Sequence, residues 1–185
     1  MAWFIPNLKS AVTAWIVCAG LASAQAEEDR LADLFAALQV AEGQDALQIA
    51  SKIVDEWSQS GSPSMDLLLD RGRSALEEGD TTTAIGHLSA LVDHAPEFAE
   101  AYNARATAYF SADQYGPALA DIQTALALNP RHFGAMTGLA IMFEEIGELE
   151  GALTAWREVR RYYPASPEAE AAIPRLEREV DGRTL

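Results

Sequence analysis

Apolar residues recur along most of this chain at spacings of three and four, the mark of helices that bury one stripe and leave the opposite face in water. RLADLFAALQVAE and DALQIASKIVDEW, within residues 28–60, follow this period, as does YGPALADIQTALALNP at 115–130. No segment alternates Val, Ile or Thr with polar residues between turn formers, so strands are not expected and the pattern predicts an all-α fold. Breaks fall where helices end: Ser-Gly-Ser-Pro-Ser at 60–64, Gly79-Asp80, Asp113-Gln114 and Gly147-Glu148.

The helices repeat. Pro96, Pro130 and Pro164 lie 34 residues apart, and Ala84, Ala118 and Ala152 each precede their proline by 12. Blocks 65–98, 99–132 and 133–166 therefore superpose, each with a helix, a turn and a second helix. First-helix positions align as Leu68, Tyr102 and Met136, then Gly72, Ala106 and Ala140, then Ala75, Tyr109 and Phe143. Second-helix positions align as the Ala84 series, then Leu88, Ile122 and Trp156, then Leu91, Ala125 and Val159. Glycine or alanine is needed where two helix axes come closest, and larger groups fill the hollows further out. A proline donates no N–H and disfavours helix in the residue before it, so each one ends its second helix.

Period, residue types and order together resemble the tetratricopeptide repeat, whose signature places small, aromatic, alanine and proline residues in this sequence. The early tryptophan of that pattern is absent, and two blocks lack its first-helix glycine. The resemblance implies an α-solenoid of antiparallel helix pairs forming a short right-handed superhelix, with framework positions at Gly72, Ala84, Pro96, Ala106, Tyr109, Ala118, Pro130, Ala140, Ala152 and Pro164. DHAPEFAEAYNARATAYF and LALNPRHFGA are also similar to segments of small exported bacterial repeat proteins without assigned activity.

The flanks extend the array. Residues 27–64 read as a degenerate leading pair in which Ala50, Val54 and Trp57 repeat the spacing of Ala84, Leu88 and Leu91. Residues 167–185 read as a closing helix and tail, capped by Ser166 with Pro167 and Glu168 in its first turn, and Pro174 predicts a kink or a split there. A charged outer face suits the terminal unit of a stack.

Residues 1–26 have the form of a cleavable export signal: Lys9, an apolar run from Ala11 to Leu21, then small residues. Cleavage after Ala26 is favoured over Ala24 because Glu27, Glu28 and Asp29 follow, and an uncleaved anchor is the alternative. Val17 before Cys18 does not suit lipid attachment. The expected location is periplasmic, with membrane contact only through this segment before its removal. Cleavage takes out Lys9 and the sole cysteine, leaving 12 basic and 28 acidic side chains, so neither disulfides nor thiol chemistry are expected. A charge of −15 on the full chain argues against nucleic-acid binding and suits a basic partner, although solubility alone also accounts for it.

Candidate chemistry is sparse. His87 and His94 are separated by about 10 Å of helix rise, and with His132 they are read as surface or turn residues; no metal or cofactor is expected. Glu144, Glu145, Glu148 and Glu150 crowd one turn without a calcium-loop spacing and read as a solvated acidic rim. No phosphate loop, Gly-x-Ser-x-Gly or His-Glu-x-x-His appears, so no catalytic residue is assigned. Tyr162-Tyr163 reads as packing, split between the helix seam and the repeat junction.

The resembled family lines its concave face with the first helix of each pair. By register this places Asp66, Leu69, Arg73 and Leu76 there, then Glu100, Asn103, Thr107 and Phe110, then Gly134, Thr137, Ile141 and Glu144. Arg73, Leu76, Asn103, Thr107, Phe110, Thr137 and Ile141 are the candidate partner-binding residues, mixing apolar pockets with hydrogen-bonding groups. Some family members grip a peptide carboxylate with lysines and asparagines; here Asn103 is present and no lysine is. The expected function is protein or peptide binding without catalysis. The alternatives are an accessory subunit of a wall, outer-membrane or cytochrome assembly complex acting through its convex face and, remotely, a periplasmic hydrolase.

Overall fold

The computed structural model describes residues 29–183, and the export-signal reading, with Lys9 and Cys18, lies outside them. Among the described residues there are nine helices and no strand. A leading hairpin comprises α1 (29–38) and α2 (Gly43–Trp57). Three pairs follow: α3 (Pro63–Glu77) with α4 (Thr81–His94), α5 (Ala99–Ser111) with α6 (Tyr115–Leu128), and α7 (Phe133–Glu145) with α8 (Leu149–Tyr162). The last helix, α9 (Pro167–Arg183), packs on α8.

Small residues set the axial approach within the pairs. Ala84, Ala106, Ala118, Ala140 and Ala152 are fully buried. A Cβ on Gly72 would lie 2.5 Å from Leu88 Cγ, so α3 and α4 meet there at a distance that excludes even alanine. All three intrapair turns share one backbone solution. Gly79, Asp113 and Gly147 adopt left-handed φ of 78°, 57° and 79°. The next residue then donates its N–H back across the turn, Asp80 to Ala75 O, Gln114 to Tyr109 O and Glu148 to Phe143 O, each at 2.8 Å. This satisfies carbonyls that the ending helix leaves unpaired. At the other end of each pair, Ala95, Asn129 and Tyr163 precede the prolines with φ near −130° and positive ψ, the extended backbone a following proline imposes.

The leading hairpin does not stack in front of the first repeat. Its stripe of Phe35, Leu38, Ala46, Ala50 and Ile53 forms one core with Phe133 and Tyr163, residues of the junctions that flank the α7–α8 pair. Phe35 meets Phe133 and Tyr162 edge-on at 6.5 and 6.4 Å, and Gln39 Nε2 donates to the carbonyls of Arg161 and Tyr162. Arg131 covers the Phe35 ring at 4.6 Å. The helical period of α1 and α2 was sufficient to form a hairpin, but its aromatic residues find their partners on the junctions before and after the third repeat. The Tyr162-Tyr163 pair accordingly serves this contact, with Tyr163 buried and Tyr162 half-buried.

Helix α9 closes the far end. Ser166 Oγ accepts the Ala169 N–H, and Ala169, Ala172, Ile173 and Leu176 complete the α7–α8 core. Pro174 sits inside one continuous helix and does not split it.

Candidate functional site

The first helices α3, α5 and α7 lie side by side, and their facing residues divide into two zones. Around the N-terminus of α5 the zone is closed. Glu100 at the start of α5 is only 4% exposed and receives Arg73 Nη2 at 2.7 Å and His132 Nε2 at 2.8 Å. Asn103 Nδ2 donates to both of its oxygens at 3.2 Å. His132 Nδ1 accepts the Ala135 N–H at 3.1 Å and so caps α7, which assigns the ring proton to Nε2, facing Glu100. The indole of Trp57 stacks on the His132 ring at 4.4 Å, and Ser58 Oγ accepts a second bond from Arg73. The hairpin thus covers the imidazole that pairs with this carboxylate. Burial pushes the Glu100 carboxyl up, but the hydrogen bond from His132, followed by the charge and hydrogen bond of Arg73, outweighs it and holds the group below the usual glutamate range.

Several expectations change here. Glu100 is a buried hub and not an exposed lining residue, because Arg73, His132 and Asn103 all donate to it. Leu69 is 1% exposed and belongs to the core with Ala101, Ala104 and Ala108, so it offers no pocket. His132 is 1% exposed and is neither a surface nor a free turn residue. Glu144 is fixed by Trp156 Nε1 at 2.6 Å and Arg175 at 2.5 Å, tying α7 to α8 and α9. Asp66 accepts from the backbone and hydroxyl of Ser60 at the loop before α3. The one signal for the Glu100 hub available in sequence was its 32-residue separation from His132, nearly one repeat, but nothing in that spacing identifies Trp57 as the cover.

The second zone, which takes in Leu76 and Phe110 late in α3 and α5 and Thr137 and Ile141 of α7, is open. Thr107 is exposed, its hydroxyl turned to the Asn103 carbonyl of its own helix. Phe110 is half-buried against the edge of Tyr115 at 5.6 Å, Leu76 and Thr137 are half-buried, and Ile141 is 39% exposed. Of the seven candidate residues, Arg73 and Asn103 are therefore spent on Glu100, while Leu76, Thr107, Phe110, Thr137 and Ile141 border accessible surface. Among the described residues no group of three or more His, Cys, Asp or Glu is placed to hold a metal ion.

On the opposite side of the second pair, Arg105 and Asp121 form a bidentate pair at 2.7 and 2.8 Å, with the guanidinium 5.7 Å from the ring centres of both Tyr102 and Tyr109. Asp121 is buried, and its hydrogen bond raises the Arg105 pKa above the ordinary arginine value. Sequence reading gave these two residues no role.

Helix pairs of constant period, stacked in chain order and closed by a terminal helix, define a helical repeat protein of the α-solenoid class. The chain belongs to the tetratricopeptide repeat (TPR) family, whose model matches residues 69–116 and 103–170. A TPR repeat-containing protein of Rhizobium etli is 33% identical over 156 residues, spanning 84% of this chain and 76% of the relative. In fold the chain is similar to the Sgt2 TPR domain from Aspergillus fumigatus, with TM-score 0.62 and 20% identity over 66% of this chain and 83% of that one. It is also similar to the first TPR of Spaghetti (RPAP3), solved bound to the HSP90 peptide SRMEEVD, with TM-score 0.61 and 22% identity over 63% and 93%.

Proposed function

We propose that this chain is an exported interaction scaffold that holds a protein or peptide segment on the open zone of its first-helix face and performs no covalent chemistry. The observation that carries this reading is the division of that face. Thr107, Phe110, Thr137 and Ile141 offer apolar surface beside polar groups, and the neighbouring zone is closed by the chain's own hairpin. Membership of the TPR family supports it, as does the likeness in fold to a domain solved with a bound peptide. The export part of the proposal, and with it a periplasmic location, rests on the form of residues 1–26.

The same division sets the ligand's chemistry. A peptide held by a terminal carboxylate needs free cations, but Arg73 is committed to Glu100 and Ser58, and Asn103 to Glu100. The chain's formal charge of −15 adds long-range repulsion of acidic segments. The ligand is therefore apolar or basic, and the acidic peptide SRMEEVD is not expected to bind. In-cell crosslinking from a photoreactive residue at position 107, with the exposed position 120 on α6 as comparison, tests the face. Capture of a defined protein from 107 that is lost with Phe110→Arg supports the proposal. Capture from neither site, or capture from 107 unaffected by that substitution, overturns it.

A further inference from the structure

The 34-residue register exposes a difference between the second and third repeats on the side away from the first-helix face. In the second repeat, Tyr102, Arg105, Tyr109 and Asp121 fill a slot with a guanidinium sandwiched between two rings and locked to a buried carboxylate. One period later the same positions are Met136, Leu139, Phe143 and Ala155. Both charges are gone, the residue replacing the aspartate is small, and Gly151 further reduces the wall on α8. An open apolar groove of about 540 Å³ remains, with Leu126 of the preceding repeat completing it. A slot that one repeat fills from within is here left for an outside side chain.

Its rim specifies the visitor. Glu150 and Glu158 border the groove on α8, eight residues and so about 12 Å of helix rise apart. Glu145 and Glu148, both exposed, continue the negative field beyond the Glu150 end. Of the three α8 arginines, Arg157 is turned to Glu177, Arg160 is exposed and does not line the groove, and Arg161 is turned to Glu158 and the Tyr162 ring and hydroxyl, the Glu158 pair being a solvent-exposed one that a competing cation exchanges at little cost. We infer that this groove is a docking site for a basic amphipathic helix of a partner protein, which inserts an apolar side chain between Met136, Leu139 and Phe143 and sets lysines or arginines against Glu150 and Glu158. This inference is independent of the first-helix face and stands or falls separately from it.

The test uses the full chain labelled with ¹³C-methyl methionine. The probe is a 14-residue helical peptide with leucines on one face and lysines flanking them, and the control is the same peptide with glutamates for lysines. The lysine peptide is expected to shift the Met136 methyl, leave Met65 in place, and weaken as salt is added. Leu139→Arg with Ala155→Asp, which copies the second repeat's pair into the groove, is expected to weaken binding about tenfold or more. Should that double variant lower the melting temperature, Glu150→Lys with Glu158→Lys, confined to the rim, gives the deciding measurement and is expected to show the same loss. Equal shifts at Met65 and Met136, equal binding of the glutamate peptide, or undiminished affinity in the rim variant would overturn the inference.

Discussion

Glu100→Gln is the most informative single perturbation of this chain. The substitution keeps shape but removes the charge, and a glutamine has one acceptor oxygen where the carboxylate receives Arg73, His132 and Asn103. At least one donor must then face the new amide donor at a position that is only 4% exposed. Breaking a buried ion pair costs about 3–5 kcal/mol, but Arg73 is one-third exposed and recovers part of its hydration, so about 2–3 kcal/mol is expected. For a chain of this length that lowers the melting temperature by about 4–12 °C. The pH dependence identifies the cause. The folded-state pKa of Glu100 is depressed below its ordinary value of 4.5, so its contribution is complete above that value and is lost as pH falls through the folded one. Urea unfolding of both proteins at pH 7 and at successively lower pH should show the stability gap closing as the wild-type carboxylate is protonated. A gap that persists unchanged into strong acid, or one below about 0.5 kcal/mol at pH 7, within the ordinary range for surface substitutions, would refute the hub.

Two further outcomes test the fold. Asp113 carries a left-handed φ where the other repeats use Gly79 and Gly147, so Asp113→Gly should stabilise by a few tenths to about 1 kcal/mol in chemical denaturation, the relieved strain being partly offset by the flexibility of glycine in the unfolded chain. Trp57→Ala removes the ring between Phe35, His132 and Phe133, and amide hydrogen exchange should then quicken in 29–57 while the Ala118 and Ile122 region of α6 stays protected. Equal loss of protection in both regions would mean that the hairpin and the repeats form one cooperative unit.

The repeat was legible because its causes are local and periodic. A helix that must approach its neighbour needs Gly72 or Ala118, one that must stop needs Pro96 or Pro130, and these demands recur at a fixed interval that any self-comparison finds. The open-zone residues Thr107, Phe110 and Ile141 followed from the same register. What the register missed lies where unlike segments meet. The chain from Arg30 to Trp57 has the period of a repeat, and period alone states which residues are buried but not against what. Its aromatic face chose Phe133 and Tyr163 over the open end of α3, and that choice put Trp57 over His132 and turned Glu100 from a groove residue into a buried hub. The amino-acid order by itself therefore determined the helices, the pairs and the stacking of the three repeats, since each depends on neighbours within one period. The tertiary structure alone decided which part of the first-helix face stays open and which slot on the far side stays empty, because both depend on side chains brought together from different repeats.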